Sequence, residues 1–421
     1  MEVVSIAIVS FSFLLFLFFI LRDPRQKNLP PGPRPSPIVG NLLQLGDKPH
    51  AEFAKLAQKY GQLFSLKLGS QTVVVASSPA AAAEVLKTHD KILSGRYVFQ
   101  SFRVKEHIEN SIVWSECNDN WKLLRKVCRT ELFTPKMIES QSEIREGKAR
   151  EMVKFLRSKE GEVVKIVEVV FGTLVNIFGN LIFSKDVFDL EDPTGGSVEL
   201  KEHLWKLLEM GNSTNPADYF PIMGKYDLFG QRRAVAEVLQ QIYDVWGINL
   251  KERRGMKGSE SNNDFVDVLL NAGLEDQKIN ALLMELFGAG TETSASTIEW
   301  AITELTKKPL VVSKIRLELV NVVGDNTVKE SDLPHLPYLQ AFVKETLRLH
   351  PPTPLLLPRR ALETCTVMNY TIPKECQIMN FEWSLPQGMS TSELSMDEKF
   401  GLTLQKDPPL LIVLKARPSN I

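Results

Sequence analysis

One stretch of the chain combines glycine, hydroxyl and acidic residues inside an otherwise apolar helical pattern. The pattern predicts a helix over residues 279–307, and residues 286–294 within it contain two glycines, Glu292 and three hydroxyl side chains. Glycine inside a helix costs up to about 1 kcal/mol relative to alanine, and threonine can bend a helix by bonding its carbonyls. Such a helix leaves room for a ligand and ordered water. The alternative is a notch for the packing of a second helix.

A second group of ionisable residues follows at 342–360. Glu345 and Arg348 lie three residues apart on one face of a predicted helix, where they can form an ion pair. By itself this spacing is a weak signal, because such pairs are common on exposed helix faces. His350 and two prolines then end the helix, and Arg359 follows a short apolar run.

The elements that position these residues are predicted to be mainly helical. Residues 64–69 and 72–76 are rich in β-forming side chains on either side of a turn, which predicts a hairpin. Amphipathic helical patterns cover residues 120–133, 141–158, 163–183, 199–210, 232–254 and 310–323. With 421 residues and 43% hydrophobic content, the chain can bury a large core. We therefore expect a mainly α fold with small β-sheets.

The amino-terminal residues predict a membrane anchor. Residues 3–21 carry no charge and span about 28 Å as a helix, enough for a bilayer core. Arg22, Arg25 and Lys27 follow, which predicts a retained single-pass helix with the rest of the chain in the cytosol. Repeated prolines in residues 30–37 predict a stiff spacer. The predicted organisation is an anchor (1–21), a basic and Pro-rich hinge (22–40) and one large domain (41–421).

Charge and cysteine content exclude several classes of protein. The net charge of −1 gives no electrostatic reason to expect a nucleic acid partner. The four cysteines, Cys117, Cys128, Cys365 and Cys376, match neither zinc-ligand spacing nor a disulfide framework. We expect them to be reduced thiols.

Taken together, the motifs resemble those of the cytochrome P-450 family in order and approximate spacing. The motifs are the Pro-rich hinge, Trp121-x-x-x-Arg125, Ala289-Gly290-Thr291-Glu292-Thr293, Glu345-x-x-Arg348 and Pro358-Arg359. The resemblance covers nearly the whole chain. Residues 97–105, 215–221 and 354–363 are most similar to plant hydroxylases that act on benzylisoquinoline alkaloids. The resemblance implies a cytochrome P-450 fold on the endoplasmic reticulum membrane. It also implies hydroxylation of an aromatic ring of a compound such as N-methylcoclaurine.

The resemblance also implies a haem cofactor and catalytic residues. Ala289 and Gly290 would open the groove where dioxygen lies over haem. Glu292 and Thr293 would deliver protons so that the O–O bond breaks. Electrons would come from an NADPH-cytochrome reductase partner.

Other residues would hold the cofactor, brace the fold or contact the substrate. Trp121, Arg125 and Arg359 would hold the haem propionates, because the guanidinium group matches a carboxylate. Glu345 and Arg348 would brace the fold behind the haem. Contacts with the alkaloid would come from Phe99, Phe102, Phe287, Leu355 and Leu356. An acid should face its protonated amine, and the resemblance does not identify that acid.

The cysteine motif that binds iron in this family, Phe-x-x-Gly-x-Arg-x-Cys-x-Gly, is absent. None of the four cysteines has phenylalanine seven residues before it or glycine four residues before it. Residues up to Met379 match the strand that precedes this motif, whereas Asn380 begins a stretch that resembles a segment beyond it. The sequence therefore predicts an internal excision between these two residues, on the order of seventy residues long, near the carboxyl end.

This loss predicts a chain without catalytic activity. The axial thiolate holds the iron and promotes O–O cleavage, and Cys376, in a strand-like segment, is a poor substitute. The alternatives are a non-catalytic membrane protein that binds the reductase or an intact cytochrome P-450, and a product of mis-splicing or an incomplete gene model. Related plant enzymes also hydroxylate terpenoid alcohols or couple phenols, so the substrate is less certain than the reaction class.

Overall fold

The computed structural model describes residues 28–190, 198–212, 215–255, 264–380, 397–400 and 403–413. The predicted anchor and residues 381–396, immediately after the predicted junction, lie outside the described residues. The described helices, in chain order, are α1 Pro49–Tyr60, α2 Pro79–Ala83, α3 Lys105–Glu109, α4 Asp119–Val127, α5 Pro135–Ser140, α6 Ser142–Ser158, α7 Ile166–Phe183, α8 Val198–Asn212, α9 Pro216–Tyr219, α10 Pro221–Lys225, α11 Gln231–Gly255, α12 Phe265–Asn271, α13 Asp276–Lys307, α14 Pro309–Val322 and α15 Pro337–Leu349.

The strands are few and short, as the prediction of a mainly α fold requires. They are β1 Leu63–Leu68, β2 Gln71–Ala76, β3 Gly95–Arg96, β4 Val163–Lys165, β5 Arg359–Arg360, β6 Cys365–Val367, β7 Tyr370–Ile372, β8 Gln377–Asn380, β9 Glu398–Phe400, β10 Leu404–Lys406 and β11 Leu411–Val413. The predicted helices over residues 141–158, 232–254 and 310–323 are confirmed, and each agrees with α6, α11 or α14 to within one residue at either end.

The described residues divide into two compact units, of which the first comprises residues 28–95, 219–221 and 358–380. Its main sheet has the order β1-β2-β8-β5-β3, and the unit ends within β3. β1 and β2 form the predicted antiparallel hairpin, and β8 runs parallel to β2, with Val74 opposite Ile378. Leu63, Val74 and Ile378 form part of a buried apolar cluster on this sheet. Residues distant in sequence therefore complete this unit.

The Pro-rich segment is bonded to β1. The amide of Ser65 donates to Pro31 O at 2.8 Å, and its hydroxyl donates to Pro30 O at 2.6 Å. A Cβ on Gly32 would lie 1.9 Å from Ser65 O, so this position requires glycine. Residues 30–32 therefore lie along the sheet, and the role of the segment as a stiff spacer remains a prediction.

The second unit, which comprises the described residues within 96–218, 222–357 and 397–413, is built around α13. This helix packs against α7, α11 and α15. Among the described helices, only α7 is long and apolar enough to span a membrane, and 67% of it is buried inside the fold. We therefore interpret α7 as a core helix.

The last strands of the second unit dock on α13. Ser296 of α13 donates its hydroxyl to Leu404 O at 2.8 Å, and the amide of Leu410 donates to Glu299 Oε1 at 2.7 Å. β9 and β10 form a hairpin, and β11 pairs with β4. The segment that follows the predicted excision therefore retains a defined place against the helix with the glycine and hydroxyl motif.

Candidate cofactor and substrate cavity

A cavity of about 570 Å³ lies within the second unit, beside α13. Its lining comes from α13, α7, the chain around α4 and the loop before it, and it consists of Arg96, Ile112, Val113, Arg125, Cys128, Arg129, Phe133, Phe178, Leu282, Glu285, Leu286, Ala289, Gly290 and Leu357. Most of these side chains are apolar, and the charged ones are three arginines and one glutamate. The cavity can therefore hold a largely apolar molecule that carries acidic groups.

Both interpretations of the glycine motif find support at neighbouring residues. A Cβ on Gly290 would lie 2.1 Å from the ring of Phe178 on α7, so Gly290 provides the predicted packing notch. Ala289 is exposed and lines the cavity. The motif therefore brings α7 close to α13 and also contributes a small side chain to the cavity wall.

Three arginines give one part of the cavity lining its positive charge. Arg125, predicted to hold a propionate, lines the cavity together with Arg96 and Arg129. Guanidinium groups are well suited to carboxylates because their planar array of donors matches two oxygens. Neither Arg96 nor Arg129 was predicted from the sequence. Arg129 lies four residues after Arg125, and that helical spacing could have indicated it.

The other two predicted propionate ligands are engaged elsewhere. The indole N–H of Trp121 donates to Ile112 O at 2.9 Å, and its ring lies 6.0 Å from the guanidinium of Arg125. Arg359 belongs to the first unit, where it bonds Asp90 at 2.8 Å. For Trp121 and Arg359 the predicted role remains a prediction.

The two predicted catalytic residues, Glu292 and Thr293, have different hydrogen-bond partners. Glu292 is buried, and its carboxylate accepts hydrogen bonds from Thr403 Oγ1 at 2.6 Å and Gln405 Nε2 at 2.7 Å. Thr293 donates its hydroxyl to Ala289 O, at 2.7 Å, in the preceding turn of the same helix. No local motif could have indicated Thr403 or Gln405, because each lies more than a hundred residues from Glu292.

The predicted ion pair on α15 is confirmed. Arg348 donates to both oxygens of Glu345, at 2.7 and 2.8 Å. The side chains are 46% and 53% exposed, respectively, which is typical of a surface pair that contributes little stability. Their role as a brace remains a prediction.

None of the five predicted substrate contacts lines this cavity. Phe287 packs in the core and does not line the cavity. Its ring centroid lies 5.6 Å from that of Trp246 and 5.9 Å from that of Phe178. Leu355 is buried, and Leu356 is exposed with a φ of 55°. Leu357, the next residue, lines the cavity instead.

The two remaining predicted contacts belong to an aromatic cluster. Phe102 stacks on Trp114 with ring centroids 6.0 Å apart, and Phe99 meets Trp114 edge-on at 6.3 Å. The cavity wall beside this cluster is formed by Ile112 and Val113. The five predicted substrate contacts therefore lie near this cavity or elsewhere in the fold, and their role remains a prediction.

Two of the four thiols are buried. Cys128 lines the cavity, and burial raises the pKa of its thiol to about 11. Burial raises the pKa of Cys376 to about 12, and its thiol donates to Thr72 O within the first unit. Neither cysteine lies in the cysteine motif of the family. The cavity lining therefore suits the carboxylates of a haem, and it lacks the motif that holds the iron in the family.

A long helix with a glycine notch lies beside an arginine-lined cavity in a mainly α fold, and this arrangement is suited to a class of enzyme that binds an acidic cofactor such as haem. The sequence pattern of the family described as cytochrome P-450 matches residues 30–387, and the chain belongs to this family. Family members are monooxygenases that use haem, a reductase partner and a small-molecule substrate.

The curated relatives come from alkaloid-producing plants. The chain is 83% identical to the "Probable (S)-N-methylcoclaurine 3'-hydroxylase isozyme 2" of Coptis japonica, over all of both chains. It is 62% identical to the (S)-N-methylcoclaurine 3'-hydroxylase isozyme 1 of Papaver somniferum, over 96% of this chain and 98% of that one. It is also 42% identical to the corytuberine synthase of Coptis japonica, over 98% of this chain and 99% of that one.

The alignment with the first relative also gives the difference in length. It has 488 positions and includes all 421 residues of this chain, so 67 of its positions face gaps here. The place of the excision between Met379 and Asn380 remains a prediction.

Proposed function

We propose that this chain derives from a benzylisoquinoline 3'-hydroxylase and that its 421-residue form does not hydroxylate. The 83% identity to a protein named for that reaction supports the origin. The observation that carries the loss of activity is the absence of the iron-binding motif. None of the four cysteines lies in that motif, and Cys128, which lines the cavity, lies in the amino-terminal half of the chain, far from the place near the carboxyl end where the family has it.

The rest of the ancestral site supports the proposed origin. Arg125 remains at the cavity with two further arginines, and Glu292 remains buried with two hydrogen-bond donors. The arginines can still bind acidic groups, and Glu292 keeps a fixed place on α13. What they cannot supply is a thiolate.

A spectrum of the reduced protein with carbon monoxide tests the loss of the metal site. We expect membranes that contain this chain to show no thiolate-type Soret band. The matched control is the same chain with the gap segment of the Coptis japonica relative inserted between Met379 and Asn380, which should restore the band. A normal band from the 421-residue form would contradict the proposal.

A second candidate function is that of a non-catalytic partner of the reductase or of an intact cytochrome P-450. One observation favours it: Leu317 and Val320 on α14, and Val343 and Leu347 on α15, are exposed large apolar side chains. Apolar residues that face solvent on adjacent helices are suited to a protein contact. Binding of purified reductase or of the full-length relative, without turnover, would support this candidate.

A third possibility is that the chain results from mis-splicing or an incomplete gene model. Sequencing genomic DNA across the codons for Met379 and Asn380 distinguishes it. An intact exon with the cysteine motif at that position would make the longer enzyme the normal gene product.

We also propose that the chain is a single-pass protein of the endoplasmic reticulum membrane with its folded part in the cytosol. The uncharged residues 3–21 and the following cations support this proposal. A second support is the 222–229 patch, in which Ile222, Tyr226, Leu228 and Phe229 are all at least half exposed beside Lys225. Apolar and cationic side chains together suit the interface of a bilayer.

A further inference from the structure

Part of the cavity wall comes from a segment without regular structure. Residues 111–115 lie between α3 and α4, and two of them, Ile112 and Val113, line the cavity. Backbone amides outside helices and strands need other partners when they are buried. The shape of this wall therefore depends on whatever holds these amides.

The carboxylate of Glu285 on α13 holds them. Ile112 N donates to Glu285 Oε2 at 2.8 Å, and Val113 N lies 3.2 and 3.3 Å from the two oxygens. The hydroxyl of Ser111 also donates to this carboxylate and in turn accepts from Trp114 N at 2.6 Å. The backbone amides of residues 112–114 therefore donate to Glu285 or to Ser111, which is itself hydrogen-bonded to Glu285.

The same segment joins two groups of side chains that the sequence analysis assigned to function. Trp114 packs against Phe99 and Phe102, the predicted substrate contacts. The carbonyl of Ile112 accepts the indole N–H of Trp121, a predicted cofactor contact. A shift of the segment would therefore move both groups.

We propose that ionised Glu285 is a positioning residue that sets the shape of the cavity by fixing residues 111–115. A carboxylate is required because only donors point at it, and an amide side chain would direct its own N–H groups toward some of them. The proposal rests on the proposed function only for the assignment of the cavity as a substrate site. The hydrogen bonds between Glu285 and residues 111–113 do not depend on that assignment.

The surroundings of Glu285 make the hold sensitive to pH. Three ionisable groups face Glu285, namely Arg96, Tyr243 and Cys128. The arginine keeps its charge, and Tyr243 is hydrogen-bonded to His107. Burial raises the pKa of Glu285 to about 7 and that of Cys128 to about 11. It also raises the pKa of Tyr243 well above its ordinary value and lowers that of His107 to about 4. Of these groups, only Glu285 changes its charge between pH 6 and 8.

Hydrogen exchange on the full chain in detergent, followed by mass spectrometry, tests the proposal. At pH 8 we expect Glu285→Gln to increase exchange in residues 111–115 about tenfold or more, because charge-assisted hydrogen bonds are lost. The matched control is Glu299→Gln on the same helix, a buried acid that accepts from Leu410 N. The control should loosen the chain near Leu410 and leave residues 111–115 unchanged.

The pH profile separates positioning from a general structural role. After correction for intrinsic exchange rates, protection of residues 111–115 in the unmodified chain should change as the pH crosses about 7, because Glu285 changes its charge there. It should stay flat in Glu285→Gln, and Glu285→Asp should recover part of it at pH 8. Unchanged exchange in Glu285→Gln, or an equal increase in Glu299→Gln, would overturn the proposal.

A variant that keeps the acid covers the case in which Glu285→Gln does not fold. Ser111→Ala removes the acceptor of Trp114 N and one acceptor of Val113 N, at 3.1 Å, and leaves the bonds of Ile112 N and Val113 N to Glu285 in place. We expect the largest increase in exchange at Trp114, a smaller one at Val113 and none at Ile112. Equal loss at all three amides, or none, would contradict the arrangement proposed here.

Equilibrium dialysis with a benzylisoquinoline tertiary amine separates this proposal from the proposed function. If the cavity takes such amines, Glu285→Gln should weaken binding several-fold and Glu299→Gln should not. If neither the unmodified chain nor the variants bind the amine, the assigned substrate class fails, while the exchange experiment still decides the role of Glu285.

Discussion

At the scale of single residues, Glu304 is the acid that contributes most clearly to stability. It is buried near the end of α13, where Oε1 lies 2.9 Å from His350 Nε2 and Oε2 lies 2.8 Å from Lys308 Nζ. The ring of His350 stacks on Trp300 at 3.9 Å. The hydrogen bond from His350, followed by that from Lys308, lowers the pKa of Glu304 to about 2.

A lowered pKa means that the ionised acid stabilises the fold above its ordinary pKa of 4.5, and that this stability is lost as the pH falls toward 2. We expect Glu304→Gln to lower the free energy of unfolding by about 2–3 kcal/mol at pH 7. The difference should narrow below about pH 4.5 in urea titrations. The control, Glu345→Gln in the exposed pair, should cost under about 1 kcal/mol. A Glu304→Gln difference independent of pH would argue against this linkage.

The sequence predicted the residues at this scale only in part. Arg125, Ala289 and Gly290 belong to motifs and do meet at one cavity. Glu285 was missed because its partners, residues 111–113, lie more than 170 positions away and are mostly backbone amides. Phe287 was assigned to the substrate because of its neighbours in the motif, whereas its direction from the helix places it in the core.

At the scale of elements, the contact between the Pro-rich segment and β1 allows no side chain at Gly32. A methyl group there would meet backbone, which cannot move aside as a flexible side chain can. We expect Gly32→Ala to destabilise the fold by about 1–3 kcal/mol. Thermal unfolding in detergent measures the effect.

The matched control for this substitution is Gly247→Ala in α11. Its added Cβ would meet nothing within 4 Å, and alanine favours a helix by up to about 1 kcal/mol over glycine. This variant should be neutral or slightly more stable. If both variants behave alike, the close approach at Ser65 does not matter for stability.

Elements set by local periodicity were predicted well, and elements set by distant pairing were not. The β1–β2 hairpin and helices such as α6 follow from alternation and amphipathic spacing within each segment. β10 and β11 could not be placed from sequence, because their positions depend on α13 and β4, far away in the chain. The bonds from Ser65 to Pro30 and Pro31 likewise join residues that no short pattern connects.

At the scale of the whole molecule, the 222–229 patch predicts a second attachment to the membrane. After removal of residues 1–27, the remaining chain should still bind phosphatidylcholine vesicles. Ile222→Ser with Leu228→Ser should weaken this binding at least about tenfold, because two large exposed side chains lose their apolar burial. Sedimentation with vesicles provides the measurement.

A pair of equally exposed residues elsewhere serves as the control. Leu310 and Leu317 on α14 are 79% and 62% exposed, and replacing both by serine should leave vesicle binding unchanged. Equal losses in the two double variants would show that the attachment is not specific to the patch.

The parallel pairing of β2 with β8 has a consequence for synthesis on the ribosome. β2 ends at Ala76 and its partner at Asn380, so about 300 residues must be translated between them. At translation rates of about 5–20 residues per second, the hairpin waits on the order of 15–60 s with one edge unpaired. An unpaired strand edge is a site for association with other chains. The nascent chain should therefore depend on chaperones until β8 emerges from the ribosome.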